Sequence, residues 1–155
     1  MHKMRFIFTI LLMNLFSTML YSQEDKKNFN RQLADSLQAD DYGMKMYVLV
    51  LLKSGNSEGL AKQVQDSLFE GHMKNIMKLV EEGKLILSGP FMKNEKNYEG
   101  IFILNVKTIG EATDLLSSDP AISSQWLKAE LYEWYGSAAL PMYVKYHEGI
   151  KKKDF

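Results

Sequence analysis

Residues 45–53 read KMYVLVLLK, a dense run of apolar side chains enclosed by two lysines. From Val48 to Leu51 the apolar side chains fill successive positions rather than alternate ones. Alternate residues of a strand face opposite sides of a sheet. The run therefore predicts a central strand that is apolar on both faces, and the loop of residues 54–59 (SGNSEG) follows it.

A long amphipathic helix is predicted directly after this loop. Apolar residues recur there at steps of four, with one histidine among them and Leu79 beside them. The stripe consists of Leu60, Val64, Leu68, His72, Ile76 and Val80. This spacing predicts a helix of about six turns with the stripe facing inward. Gly83 is well placed to end it.

Three more strands and a second helix complete the pattern. The predicted strands are residues 84–91, 98–107 and 126–135, the predicted helix is 109–117, and a helical turn follows Asp119 and Pro120. The order β-α-β-β-α-β predicts an α+β fold of the ferredoxin-like type. Such a fold has a four-stranded antiparallel sheet with both helices on one face.

The other face of this sheet also needs a cover. The third predicted strand repeats the doubly apolar pattern at residues 101–104 (IFIL), and a sheet that is apolar on both sides implies a second layer. We expect another copy of the same sheet to supply it, which predicts a homodimer with its sheet faces together. The alternative is that the N-terminal or C-terminal extension covers this face.

The first 22 residues have the pattern of a secretory signal peptide. Lys3 and Arg5 give a positive start, and residues 6–15 are almost entirely apolar. This stretch is too short and interrupted to act as a stable membrane anchor, since a span needs roughly 20 apolar residues. We expect cleavage near Ser22 and export to the periplasm or the extracellular space.

After the leader, the sequence divides into three parts. Residues 23–43 form a polar N-terminal extension with one short helix, residues 44–140 the α+β domain, and residues 141–155 a C-terminal arm. The chain has no cysteine, which excludes disulfides. The chain has 19 basic and 19 acidic side chains, and Lys3 and Arg5 are the only charged residues that cleavage of the leader would remove. The nearly balanced remainder argues against nucleic acid as a partner.

His72 and Asp119 are the candidate chemical groups. His72 lies on an apolar stripe, where a histidine is either a hydrogen-bonded core residue or a group that transfers protons near neutral pH. Asp119 before Pro120 suits the start of a helix. A carboxylate bonded to an imidazole also fixes its tautomer and favours the imidazolium. Their spacing alone does not show whether the two meet.

Several segments, in order, resemble the YCII-related family of dimeric α+β-barrel proteins. They are MYVLVLLKSG (46–55), GHMKNIMKLVEEGKL (71–85), SGPF (88–91), YEGIFILNVKTIGEA (98–112), SSDPA (117–121) and WYGSAALP (134–141). The resemblance covers roughly residues 44–140 and is closest to exported members with a short polar extension.

The resemblance implies a half-barrel completed by dimerisation. It also implies a site with a histidine from the first long helix and an aspartate from an Asp-Pro turn, which match His72 and Asp119. The family as a whole lacks a settled activity. Related barrels include muconolactone isomerase-like enzymes and a dehydrochlorinase of chlorinated hydroquinones. By analogy with these related barrels, the implied reaction is isomerisation or elimination by proton transfer.

Four further residues are candidates for a pocket: Ser88, Gly89, Pro90 and Trp126. Gly89 and Pro90 would turn the backbone near a pocket mouth, although the pair also suits a simple strand end. Ser88 lacks the G-x-S-x-G pattern of a nucleophile. Trp126 would line a pocket for a ring-shaped ligand or, alternatively, belong to the core or the dimer contact.

The sequence predicts no metal and no cofactor. Only His72 and His147 remain after the leader, without cysteine, clustered carboxylates or a phosphate-binding loop. A mononuclear metal site formed by His72, Asp119 and water is the remaining alternative.

Two functions follow from these residues. The leading prediction is a small exported homodimeric enzyme in which His72, oriented by Asp119, is the general base or acid for a small cyclic organic molecule. The second is a non-catalytic module that binds a small ligand or a protein. A catalytic pair should be aligned and reach solvent, whereas a structural pair should be sealed.

Overall fold

The computed structural model describes residues 28–55 and 59–153, apart from the side chain of Glu148. The predicted signal peptide and residues 23–27 lie outside this part. Residues from Leu33 onward form one unit, to which the sheet and the site belong. Within the described residues, no helix combines the length and the apolar character needed to cross a membrane.

The predicted order of strands and helices is confirmed. In chain order the elements are α1 (Arg31–Leu37), β1 (Met44–Ser54), α2 (Lys62–Glu81), β2 (Leu85–Pro90), β3 (Tyr98–Leu104), α3 (Ile109–Ser117), α4 (Pro120–Ser123), β4 (Leu127–Ser137), a 3-10 helix (Leu140–Tyr143) and α5 (Val144–Ile150). Of these, α3 has the predicted bounds.

The four strands form one antiparallel sheet in the order β2-β3-β1-β4. As predicted, β1 is a central strand. Its Val50 pairs with Phe102 of β3 and with Leu131 of β4. This strand order with the β-α-β-β-α-β connection confirms the ferredoxin-like α+β fold.

Both long helices pack on one face of the sheet. Val48, Val50 and Leu52 of β1 share a buried cluster with Leu79 of α2 and Leu116 of α3. Burial of these aliphatic groups supplies the main driving force for docking the helices. The prediction that both helices share one face is confirmed.

The inward stripe of α2 agrees with the predicted one at Ile76 and Val80, which pack against the core, and departs from it at the start. The helix begins at Lys62, after Leu60, and Val64 is 45% exposed. Its buried residues are His72, Asn75 and Leu79. A turn takes about 3.6 residues, so steps of four drift around the helix, and a strict series of such steps leaves the core. The prediction that Gly83 ends the helix is confirmed, since its φ is +66° and it follows the C-cap Glu82.

The chain's own C-terminal segment covers part of the opposite sheet face. Tyr47, Ile86 and Ile103 form a second buried cluster, and Leu140 and Val144 pack against it. The alternative in which a terminal extension covers this face therefore holds at this end of the sheet. The homodimer stays a prediction.

Candidate functional site

Asp119 is placed by the start of α4. It is the N-cap residue of that helix, with Pro120 in the first turn, as the sequence predicts. Its Oδ1 accepts hydrogen bonds from the backbone N–H groups of Ala121 at 2.9 Å and Ile122 at 3.4 Å. The residue is fully buried, with 0% of its surface exposed. The cap therefore holds one carboxylate oxygen and leaves the other for a second partner.

That second partner is His72 of α2. Its Nδ1 lies 2.6 Å from Oδ2 of Asp119, and the two residues are 47 positions apart in the chain. Every other partner of this carboxylate is an N–H donor, so the carboxylate acts as an acceptor and Nδ1 carries the shared proton. The structure thus brings the two candidate residues together as an aligned pair.

The second ring nitrogen of His72 faces solvent. His72 is 7% exposed, and within the described residues Nε2 has no hydrogen-bond partner, since the bond to Asp119 uses Nδ1. No buried side-chain nitrogen or oxygen in this part of the chain lacks a partner, so Nε2 reaches the surface. The ring also stacks on Phe102, with centroids 5.8 Å apart and planes at 21°. The pair is therefore not sealed.

Gly71 allows the two halves of the pair to approach. A Cβ atom built on Gly71 would lie 2.8 Å from Cγ of Pro120, which is shorter than a van der Waals contact between carbons. The absent side chain therefore lets α4 dock against α2 and carry Asp119 to His72. The sequence analysis missed Gly71. Its signal was a glycine inside a helical pattern, which often has a packing reason.

Asn75 is a third buried polar residue of the site. Its Nδ2 donates to Oδ2 of Asp119 at 3.3 Å, the same oxygen that His72 binds. Its Oδ1 accepts a hydrogen bond of 3.0 Å from the hydroxyl of Ser118. Only 7% of its surface is exposed. Sequence reasoning missed it too, although its position three residues after His72 places both on one helix face.

This arrangement confines chemistry to one atom. The two oxygens of Asp119 accept four hydrogen bonds, and the residue has no exposed surface for a ligand. It can affect a bound molecule only through His72. A neutral imidazole whose proton is held on Nδ1 presents a free lone pair on Nε2. The site can therefore accept a proton at Nε2, and the imidazolium that results can return it.

The four predicted pocket residues do not lie together. Ser88 pairs with Phe102, so both lie on the face that carries the helices. The ring of Phe102 in turn stacks on His72. Gly89 pairs with Ile101, on the other face. Trp126 directly precedes β4, the strand at the opposite edge, and its carbonyl accepts a 2.9 Å bond from Gly55 at the end of β1. Strands β3 and β1 separate it from Ser88.

Pro90 ends the edge strand β2, as the sequence predicts for the Gly89-Pro90 pair. It pairs with Gly100 of β3 and therefore lies on the same face as Ser88.

For metal binding, the described residues contain no group of three His, Cys, Asp or Glu side chains arranged to hold an ion.

Comparisons with known proteins show no relative in sequence. No model of a protein family matches the chain, and a sequence comparison with curated proteins finds no match. Membership of the YCII-related family therefore stays a prediction.

One similar structure is 5-chloro-2-hydroxyhydroquinone dehydrochlorinase from Burkholderia phenoliruptrix AC1100, solved with 2,5-dihydroxybenzoquinone. It is 14% identical, the match covers 56% of this chain and 92% of that one, and the TM-score is 0.43. The functional assignment therefore rests on the geometry of the site itself.

Proposed function

We propose that this protein is an exported, YCII-related enzyme that transfers a proton through Nε2 of His72. The hydrogen bond of 2.6 Å between His72 and the fully buried Asp119 carries the proposal, together with the exposure of Nε2. Asp119 fixes the tautomer that leaves Nε2 free and stabilises the imidazolium that forms. The aligned, unsealed pair favours this function over a purely structural contact.

In the proposed reaction, Nε2 removes a proton from a carbon next to an electron-withdrawing group of a small cyclic molecule. The C–H bond breaks, its electron pair enters the neighbouring π system, and His72 becomes an imidazolium. For an isomerisation, the imidazolium returns the proton to another atom of the same molecule. For an elimination, the electron pair expels an anionic leaving group, and the proton passes to solvent.

Deuterium exchange tests this function without knowledge of the substrate. A panel of small lactones and cyclic ketones is incubated with the protein in D2O, and deuterium incorporation is followed by mass spectrometry. We expect the unaltered protein to catalyse exchange in at least one of them. His72→Gln should lower the rate by about 10²–10⁴-fold, the usual contribution of a general base.

His147→Gln is the matched control, since it changes the other histidine of the exported chain, on the exposed side of α5. We expect it to retain the full exchange rate. Equal exchange by His72→Gln and the unaltered protein would contradict the proposal. Binding of a panel compound without any exchange would instead favour a ligand-binding module.

We also propose that the protein acts as a homodimer through its open sheet face. Leu51 and Ile101 are paired, half-buried residues on this face, and Tyr132 is exposed beside them. Lys53 and Glu130 form an ion pair of 2.6 Å there. Their hydrogen bond raises the pKa of Lys53 and lowers the pKa of Glu130. An apolar surface with one fixed ion pair suits a self-complementary contact.

A further inference from the structure

We infer that Asn75 is a positioning residue that acts on His72 through Asp119, with its amide oxygen held by Ser118. This inference rests on the proposed proton transfer at His72. The observation behind it is a continuous chain of side-chain hydrogen bonds, from the Ser118 hydroxyl to Asn75 Oδ1 and from Asn75 Nδ2 to Asp119 Oδ2.

The Asp119 carboxylate needs a second fixed point. Backbone N–H groups at the start of α4 hold only Oδ1. Rotation about the bond to the carboxyl carbon would move both oxygens, and the cap bonds oppose this movement only at Oδ1. Asn75 is the other side chain bonded to Oδ2. Its amide therefore sets the plane of the carboxylate and, with it, the direction in which Oδ2 meets Nδ1.

The Asp119 carboxylate decides which end of the Asn75 amide faces it, because the carboxylate only accepts and the NH2 group is the end that donates. The amide could in principle present its oxygen or its NH2 group. The Ser118 hydroxyl lies 3.0 Å from Oδ1 of Asn75 and also 2.9 Å from the Leu115 carbonyl. With the NH2 group turned to Asp119, the amide oxygen faces Ser118, whose hydroxyl donates to it. Ser118 therefore holds the oxygen end of the Asn75 amide in place.

Asn75 is well placed to act without touching a substrate. It is nine-tenths buried, and both ends of its amide are bonded to protein. Side chains that orient a metal-bound histidine typically contribute about 10–100-fold to affinity or activity, and we expect an effect of the same order for Asn75. A residue of this kind should change the behaviour of Nε2 only while Asp119 is present to transmit the effect.

A double-mutant cycle on the full exported chain tests this. The probe is diethyl pyrocarbonate, which modifies an unprotonated imidazole nitrogen, and peptide mass spectrometry gives the rate at His72. We expect Asn75→Leu to slow this modification by about tenfold in the unaltered background. In the Asp119→Asn background the same change should alter the rate by less than about twofold, because coupled residues are not additive.

Two controls accompany the cycle. The rate at His147, measured in the same digests, should be the same in all four proteins. Ser118→Ala removes the hydroxyl that holds the amide oxygen but keeps Asn75 itself, so it should slow modification of His72 by a smaller factor, again only when Asp119 is present. It also provides a test if Asn75→Leu does not fold.

The outcomes separate this inference from the proposed function. Equal fold-changes in both backgrounds would overturn the role of Asn75 and leave the His–Asp pair intact. An unchanged rate in Asn75→Leu and Ser118→Ala would do the same. If Asp119→Asn itself leaves the His72 rate unaltered, Asp119 does not control Nε2, and both proposals fail.

Discussion

At the scale of single residues, the site assigns one task to each polar atom. Nδ1 of His72 is bound to Asp119, and both oxygens of Asp119 are occupied. Only Nε2 of the pair meets solvent. A catalytic role for this site therefore depends on Nε2 alone. Because the tautomer of His72 decides whether Nε2 can accept a proton, the tautomer is the property to measure.

Asp119→Asn should reverse that tautomer. The two backbone N–H groups at the start of α4 would hold the amide oxygen at the Oδ1 position, which turns the NH2 group towards Nδ1. Since two donors cannot share a hydrogen bond, the imidazole proton should move to Nε2. Asparagine still caps a helix well, so the fold should persist. Nitrogen-15 NMR of labelled histidine reports the tautomer directly.

We expect deuterium exchange by this variant to fall towards that of His72→Gln, since the same change in serine proteases costs about 10⁴-fold. A His72 that keeps its proton on Nδ1 in Asp119→Asn would contradict this account of the pair. His147 should show the same spectrum in both proteins and serves as the internal reference.

The residues of the site were only partly predictable from the sequence. His72 and Asp119 were predictable because each breaks or fulfils a local pattern: a titratable ring on an apolar stripe, and an acid before proline. Asn75 has no such signal. Its role depends on Asp119, which is 44 positions away in the chain, and helix periodicity does not show which partner a buried amide meets.

At the scale of elements, the contact between α2 and α4 positions the site. The helix α4 has only four residues, Pro120–Ser123, and it lies against α2 at Gly71. The order and approximate bounds of strands and helices followed from alternation, apolar runs and end signals. The distance between two helices could not be predicted in this way, because it also depends on positions such as Gly71, where no side chain is present.

Gly71→Ala should separate these elements. Alanine favours a helix interior by about 1 kcal/mol over glycine. Its Cβ would, however, lie 2.8 Å from Cγ of Pro120, part of a rigid ring. Overpacking of this kind typically costs about 1–3 kcal/mol. We therefore expect a lower free energy of unfolding in urea, and loss of the NMR signal of the Nδ1 proton bound to Asp119.

Gly110→Ala is the matched control for this change. Gly110 lies in α3, where the nearest atom to a new Cβ would be Oγ1 of Thr108 at 3.9 Å, an ordinary contact. We expect the free energy of unfolding to stay the same or rise by up to about 1 kcal/mol. If Gly71→Ala behaves like Gly110→Ala, the close approach of Pro120 does not limit the site.

At the scale of the whole molecule, the two sheet faces have different covers. The helices cover one face, and the C-terminal segment packs against part of the other. The apolar character of both faces was evident in the runs around Val48 and Ile101. The sequence did not show how much of the second face the chain would cover itself, because Leu140 and Val144 lie in a short segment without clear periodicity.

Leu51→Lys should disrupt the proposed homodimer. Leu51 lies on the open face directly opposite Glu130, which would pair with the new ammonium group and keep the single chain folded. Two such charges brought together across the dimer axis would repel each other. Analytical ultracentrifugation should give a dimer for the unaltered protein and a monomer for this variant.

Met77→Lys, at an exposed position of α2, should leave the dimer intact. A monomeric unaltered protein would show that the prediction of a dimer is wrong, and the C-terminal segment would then be the main cover of this face.

The cap of α4 has one more consequence. The backbone amides of Ala121 and Ile122 bind the same carboxylate as His72, so any fluctuation that unwinds this short helix also releases the imidazole. Local opening of α4 and loss of the functional tautomer are then a single event. Hydrogen exchange at these two amides would measure how often α4 opens and the bond between His72 and Asp119 is lost. A ligand that needs the intact pair would slow that exchange.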